Sequence, residues 1–177
     1  MARRILAFAA VAGYFAQGHA ANLLTTGDFE GDTTGWVLDR PDTTTRGGLT
    51  FNAPATRTGA KGMQATIAKV GTANWGIRVY VPAFAATAGN TYTLSFWAKS
   101  DSIRPVTIGF QPAGGGYISA SPEQNITTTW TQFSYKVAAA STASLQFTIY
   151  LGGTTNVGSY SFDDFYLDET VALTIPP

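Results

Sequence analysis

The sequence predicts an all-β domain, a sandwich or a barrel of antiparallel strands, on three observations. Apolar and polar residues alternate in short runs, which is the period of a strand with one buried face. Turn chemistry such as Gly89-Asn90, Gly114-Gly115-Gly116 and Gly152-Gly153 interrupts the runs. It recurs roughly every ten to fifteen residues, a rhythm that belongs to sandwiches and barrels. No stretch beyond residue 20 sustains the period of an amphipathic helix.

Residues 1–20 read as a secretory signal peptide. Met1-Ala2-Arg3-Arg4 is a short basic start, and an apolar run follows from Ile5 to about Ala16. Gly18 and Ala20 then place small residues at the two positions before Ala21 that a signal peptidase reads. The apolar run is too short to cross a bilayer, which takes about 20 apolar residues. The folded domain is therefore expected over residues 21–170 of a secreted, extracellular protein. Residues 171–177 read as a closing strand or the start of a linker.

Within the domain, weaker strand signals lie at 36–38, 49–52 and 63–70, and stronger ones follow. In 75–81 the core set is Ile77, Val79 and Val81, with Arg78 and Tyr80 facing out. In 92–99 it is Leu94, Phe96 and Ala98, with Trp97 on the opposite face. Residues 105–111 contribute Val106, Ile108 and Phe110, and 130–137 contribute Phe133, Tyr135 and Val137. The clearest strand is 145–151. Leu145, Phe147, Ile149 and Leu151 point one way, leaving Gln146, Thr148 and Tyr150 as a polar and aromatic row on an exposed sheet face. Trp36 and Trp130 each open a strand beside core positions and are expected to seal the core.

The last strand, 160–167, carries an acid pair. By alternation Asp163 shares a face with Phe165 and Leu167 and points inward, whereas Asp164 points outward. A buried carboxylate needs a partner. The segment Gly27-Asp28-Phe29-Glu30 supplies one, because the first and last strands of a sandwich often lie side by side. Glu30 and Asp163 are then expected to meet and clamp a hard cation.

Several function classes are excluded by what the chain lacks. It has no cysteine, so an exported domain here relies on its core and on any metal it holds. The only histidine, His19, lies within the signal segment. Without it the domain cannot build a Ser-His-Asp triad, a Cys nucleophile or an ordinary zinc site. Cleavage before His19 would create an N-terminal histidine, but a copper oxygenase of polysaccharides needs a second one. Basic and acidic residues number 11 each, and the balance turns slightly negative once Arg3 and Arg4 leave. No basic footprint for nucleic acid or anionic lipid is present. Aromatic residues match charged ones, 13% against 12%, the balance of an extracellular β domain.

The order of the short motifs carries a resemblance. Asn22-Leu23-Leu24 and Gly27-Asp28-Phe29-Glu30 come first, then Gly35-Trp36 and Thr58-Gly59-Ala60-Lys61-Gly62-Met63. Next come Asn74-Trp75, Gly89-Asn90-Thr91-Tyr92-Thr93-Leu94-Ser95-Phe96-Trp97-Ala98-Lys99, and Thr129-Trp130. Phe162-Asp163-Asp164-Phe165-Tyr166-Leu167 closes the series. In this order and spacing, from Asn22 to about Leu167, the chain resembles carbohydrate-binding modules of the family 4, 9 and 22 type.

The resemblance implies a jelly-roll sandwich of two antiparallel sheets, with a cleft on one sheet for single polysaccharide chains. It also implies a structural calcium ion (Ca2+) away from the cleft. The side-chain ligands would be Glu30 and Asp163, completed by backbone carbonyls near Asp28 and in the turn that ends at Lys61. For the cleft it implies Trp75, whose ring would stack on a pyranose. Tyr150, with Gln146 beside it, follows independently from alternation. Arg78, Gln111, Tyr117 and Phe110 are further candidates, although Phe110 shares the parity of Val106 and Ile108. Xylan-binding relatives carry an acid where this chain has Arg78, so the expected ligand is a β-glucan, cellulose or xylan without further distinction. A glycoside hydrolase would be appended if the chain is a fragment of a longer enzyme.

Two other classes compete with this reading. A glycosidase needs two carboxyls about 5–5.5 Å or 6.5–9.5 Å apart across a cleft. Asp163 and Asp164 project to opposite faces, and Asp39, Asp42, Asp101 and Glu123 fall in apparent loops. A secreted adhesion or structural sandwich would present a flat apolar patch in place of a groove.

Overall fold

Alternating apolar residues build twelve strands in this computed structural model, which describes residues 21–172. The signal segment 1–20 and residues 173–177 of the tail lie outside the described residues. The strands are β1 (Val37–Asp39), β2 (Arg46–Asn52), β3 (Gly62–Lys69), β4 (Arg78–Tyr80), β5 (Phe84–Ala86) and β6 (Thr91–Ser100). They continue as β7 (Arg104–Pro112), β8 (Ser119–Ala120), β9 (Gln124–Ile126), β10 (Thr131–Ala138), β11 (Ala143–Tyr150) and β12 (Gly158–Thr170). β5, β8 and β9 are too short to carry a period and had no signal in the sequence. Among the described residues no helix is long and apolar enough to cross a membrane.

Two antiparallel sheets pack face to face as a jelly-roll sandwich. One has the order β10-β6-β12-β3-β2, the other β1-β4-β11-β7-β8 with β5 also on β11 and β9 on β7. Their inner faces share one core. Phe96 stacks on Phe133 and Phe165 from the first sheet, and Phe110 packs against Phe147 and Phe84 from the second. Ile77, Val79, Val106, Ile108, Phe147 and Ile149 are all buried between the sheets, as their alternation requires. Tyr135 and Val137 are only partly buried at its margin.

The first segment lies against the last strand, but as extended coil. Leu23 N–H donates to the Leu167 carbonyl at 3.0 Å, and Phe165 N–H to the Gly27 carbonyl at 2.9 Å. Asn22 clamps the same strand, donating to the Phe165 carbonyl and accepting from Leu167 N–H. The approach is so close that a Cβ on Gly27 would sit 2.3 Å from the Phe165 carbonyl oxygen. Only glycine fits there.

Two expectations fail. The pairing of β12 with β6 breaks at a bulge between Asp163 and Tyr166, where Asp164 adopts φ 52°. The extra residue shifts the phase, so Tyr160 and Phe162 are core before it and Phe165 and Leu167 after it. Asp163, opposite Trp97, therefore lies on the outer face of its sheet, although it is buried there, as expected, with the 57–58 backbone as its partner. Trp130 does not seal the core either. Thr131, not Trp130, stands opposite the core residue Ala98, which places Trp130 on the outer face with the Lys99 amine 5.0 Å over its ring. Trp36 is buried as expected, wedged between Phe29 and Phe165, with its indole N–H on the Thr26 hydroxyl.

Candidate functional site

The outer face of the β1-β4-β11-β7-β8 sheet is assembled by register. Antiparallel pairing sets Asp39 against Arg78, Arg78 against Tyr150, and Tyr150 against Thr107. The next row is Val37, Tyr80, Thr148, Gly109 and Ala120, and Gln146 faces Gln111 in the row after. Every one of these side chains points away from the core because its neighbours along the strand point into it.

A groove of about 500 Å³ crosses this face. It is lined by Asn74, Trp75, Arg78, Thr107, Gly116, Tyr117, Ala120 and Tyr150. Trp75 is not on a strand. It sits in a short 3-10 turn, Asn74–Gly76, that lifts its ring out of the core parity of Ile77 and leaves it 52% exposed. Tyr117, 69% exposed on the loop between β7 and β8, is the second open ring. A narrow continuation shares Asn74, Thr107 and Tyr150 and adds Glu123, Gly153 and Asn156.

The amides are the unusual feature. Gln111 and Gln146 are 0% and 6% exposed, yet among the described residues both amide atoms of Gln111 and the Nε2 of Gln146 lack a well-formed hydrogen bond, although the Tyr80 phenol lies close to the Gln111 amide. The Oδ1 of Asn156, in the narrow continuation, is likewise unpaired. Folded proteins rarely leave buried amides unsatisfied, because each costs about 1–3 kcal/mol. The alternation reading of an exposed row at Gln146, Thr148 and Tyr150 thus needs adjusting. The row does face outward, but all three residues are buried on that face, and of them Tyr150 lines the groove.

Arg78 and Asp39 form an ion pair across the register. Nε and Nη2 of Arg78 donate to Asp39 Oδ2 at 3.1 and 2.5 Å, and the Tyr80 hydroxyl donates to the same oxygen at 2.8 Å. Burial pushes the Asp39 carboxyl up, but the Arg78 and Tyr80 donors outweigh it and hold the group below its ordinary range. The Tyr150 phenol is pushed up by burial, opposed by Arg78 and reinforced by the nearby Tyr117 and Tyr80 phenols, so it stays protonated. Asp39 lies on a strand, not in a loop, and the sequence reading missed it together with Tyr80. The alternation of β4 already placed Tyr80 outward beside Arg78.

Of the candidates for the groove, Trp75, Tyr150, Arg78 and Tyr117 line it together, and Gln111 and Gln146 lie on the same sheet face. Phe110 does not. Its side chain is fully buried between the sheets, because it alternates with Gln111 on β7 and the two must face opposite ways. Trp97, on the other sheet, carries the Arg57 guanidinium 3.8 Å above its ring.

The acidic candidates gather at a different edge, around residues 56–61. Asp163 Oδ2 accepts the N–H groups of Arg57 and Thr58 at 2.6 and 3.1 Å, and Oδ1 that of Asp164 at 2.8 Å. Burial nonetheless pushes its carboxyl above the ordinary range. Glu30 Oε1 holds the same segment further on, accepting from Ala60 N–H at 2.8 Å and Lys61 N–H at 2.9 Å, which keeps its pKa low. Asp28 instead turns back on Glu30 N–H. Asp164, expected to stand free in solvent, pairs with Arg57. Among the described residues no group of three or more His, Cys, Asp or Glu side chains is placed to hold a metal. Any cation at this edge would draw on two carboxylates and backbone carbonyls.

A jelly-roll sandwich with a ring-edged groove across one sheet defines a β-sandwich binding domain. The chain belongs to the carbohydrate binding domain family of the 4/9 type, whose model matches residues 21–158. A search of curated protein sequences gives no match. Solved structures with the same fold include a CBM4 module with TM-score 0.67 and 23% identity, covering 83% of this chain and 99% of that one. The module TmCBM61 in complex with beta-1,4-galactotriose gives 0.60 and 16%, over 85% of this chain and 100% of that one. The CBM22-1 xylan-binding domain of Paenibacillus barcinonensis Xyn10C gives 0.57 and 16%, over 81% and 91%.

Proposed function

We propose that this domain is a secreted, non-catalytic module that binds single polysaccharide chains of the β-glucan, cellulose or xylan type in the groove on the β1-β4-β11-β7-β8 sheet. The observation that carries the reading is the coincidence of two open rings with polar side chains in one groove. Trp75 and Tyr117 offer faces for the apolar side of a pyranose, and Asn74, Arg78 and Thr107 line the same groove with polar side chains. Sugar hydroxyls can bond those polar groups, whereas an apolar protein surface would leave them unpaired. Trp75 stands on a tight turn and Arg78 and Tyr150 on paired strands, so little rearrangement of these groups is expected on binding. The relatives described as binding xylan and a β-1,4-linked galactotriose support a glycan ligand of this general kind.

The edge at residues 56–61 fits a structural calcium ion. Calcium takes six to eight oxygens and accepts backbone carbonyls. Glu30 and Asp163 would supply the carboxylates, and carbonyls near Asp28 and in the loop that ends at Lys61 the remainder. Two non-glycine residues flank this edge in left-handed backbone, Phe29 at φ 58° and Asp164 at φ 52°. Strain of that kind persists where something outside the local chain holds it. When bound, the ion would join the first segment to the last strand and take no part in ligand chemistry.

The test is affinity electrophoresis of the mature chain against soluble xylan, mixed-linkage β-glucan, laminarin and hydroxyethyl cellulose, with a pull-down on amorphous cellulose. Retardation by at least one, lost in a folded Trp75→Ala variant, is expected. No retardation of folded protein by any of them would overturn the proposal, and normal binding by Trp75→Ala would overturn the site.

A further inference from the structure

Arg78 is the one charged residue lining the main part of the groove. Its charge is cancelled where it stands. Asp39 and Arg78 are register partners on adjacent strands, so the pair is built into the sheet and not formed by two chance surface side chains. Asp39 occupies the Nε–Nη2 edge of the guanidinium, leaving Nη1 without an acceptor among the described residues. The Tyr80 hydroxyl pins the same carboxylate oxygen. A guanidinium captures a carboxylate best through two parallel N–H donors on one edge. The edge held by Asp39 is closed to a ligand, and the Nη1–Nη2 end keeps its N–H donors for a hydroxyl but with the charge behind them already paired.

We propose that Asp39 sets the charge class of the ligand: by closing one edge of Arg78 and neutralising it, Asp39 makes the groove a receptor for uncharged glycan chains and bars those bearing carboxylates. This rests on the groove being a polysaccharide site. An anionic chain entering the groove gives up its hydration and meets a guanidinium already paired, with Glu123 at the narrow end adding a further negative charge. Asp39 acts through Arg78 and is a specificity-determining, positioning residue, not one that needs to touch the sugar.

The experiment compares a neutral probe with a carboxylated probe of the same backbone. Hydroxyethyl cellulose against carboxymethyl cellulose serves for a glucan binder, and arabinoxylan against glucuronoxylan for a xylan binder. The wild type is expected to be retarded by the neutral chain and little by the carboxylated one. Asp39→Asn, with an unchanged melting curve, is expected to gain at least about tenfold for the carboxylated chain, the scale of a hydrogen bond to a charged group. Added salt should erase the gain, and Arg78→Met in the same background should abolish it. Folded Asp39→Asn with unchanged discrimination would overturn the proposal, as would a gain that survives Arg78→Met. If the wild type binds no neutral chain at all, the polysaccharide reading itself falls. Arg78→Met alone provides the check should Asp39→Asn fail to fold. It is expected to weaken the neutral chain about tenfold and to gain nothing for the carboxylated one, and an unchanged profile would overturn the proposal.

Discussion

Gly109 offers a sharp test of how the groove is built. It lies in β7 between Ile108 and Phe110, both of which face the core, so any Cβ at this position projects into the groove. That atom would stand 2.5 Å from the Tyr150 hydroxyl oxygen, 2.6 Å from Cζ and 2.8 Å from Cγ2 of Thr148. The Tyr150 ring thus lies across the glycine as part of the groove floor. Comfortable contact begins near 3.5 Å, so Gly109→Ala must push the phenol away by about 1 Å. The backbone itself tolerates alanine, since Gly109 is not among the residues with positive φ. Overpacking costs about 1 kcal/mol at the low end, and replacing a mid-strand glycine returns roughly 0.5–1 kcal/mol. The melting temperature should therefore move by only a few degrees. Binding should suffer more, because a displaced ring forfeits about 1 kcal/mol of contact and unsettles Thr148 beside it. A roughly fivefold to tenfold rise in Kd is expected by calorimetric titration with the best polysaccharide of the panel. Wild-type affinity in a variant that melts normally would refute the argument that Tyr150 must lie on Gly109 for the ligand to bind.

Phe110→Ala, one residue along, should do the reverse: a loss of about 3–5 kcal/mol in urea unfolding from the emptied core, with affinity unchanged in the protein that remains folded. A selective loss of affinity without loss of stability would contradict its place between the sheets. Chelation should lower the melting temperature without competing with polysaccharide. At hundredfold excess over Kd, calcium would contribute about 2.7 kcal/mol, roughly 5–10 °C for a domain of this size. An unchanged melting curve in chelator would remove the ion from the account.

The long strands were legible because burial of one face imposes a period that survives in the residue order. Leu94, Phe96 and Ala98, or Leu145, Phe147 and Ile149, announce both the strand and its inner side, and the outward parity of Arg78, Gln111, Gln146 and Tyr150 follows. Phe110 belongs to the same lesson, since its parity pointed to the core and the structure places it there. The period fails where the chain departs from the pleat. The bulge at Asp164 put Asp163 on the opposite face from the one alternation implies. The 3-10 turn at Asn74–Gly76 freed Trp75 from its strand parity. Trp130 is a different case: alternation with Phe133 already points it outward, and the structure follows that parity and not the expected place in the core.

What no local pattern contains is the pairing of distant strands. Asp39 stands opposite Arg78, and Gln111 opposite Gln146, only because sheet register brings together segments far apart in the chain. The hydrophobic period specifies which face of a strand is buried, but not which strand lies beside it. Residue order therefore dictated an all-β sandwich, its core and the composition of its outer faces. Tertiary structure alone decided that one of those faces closes into a groove, with the charge of Arg78 cancelled by Asp39.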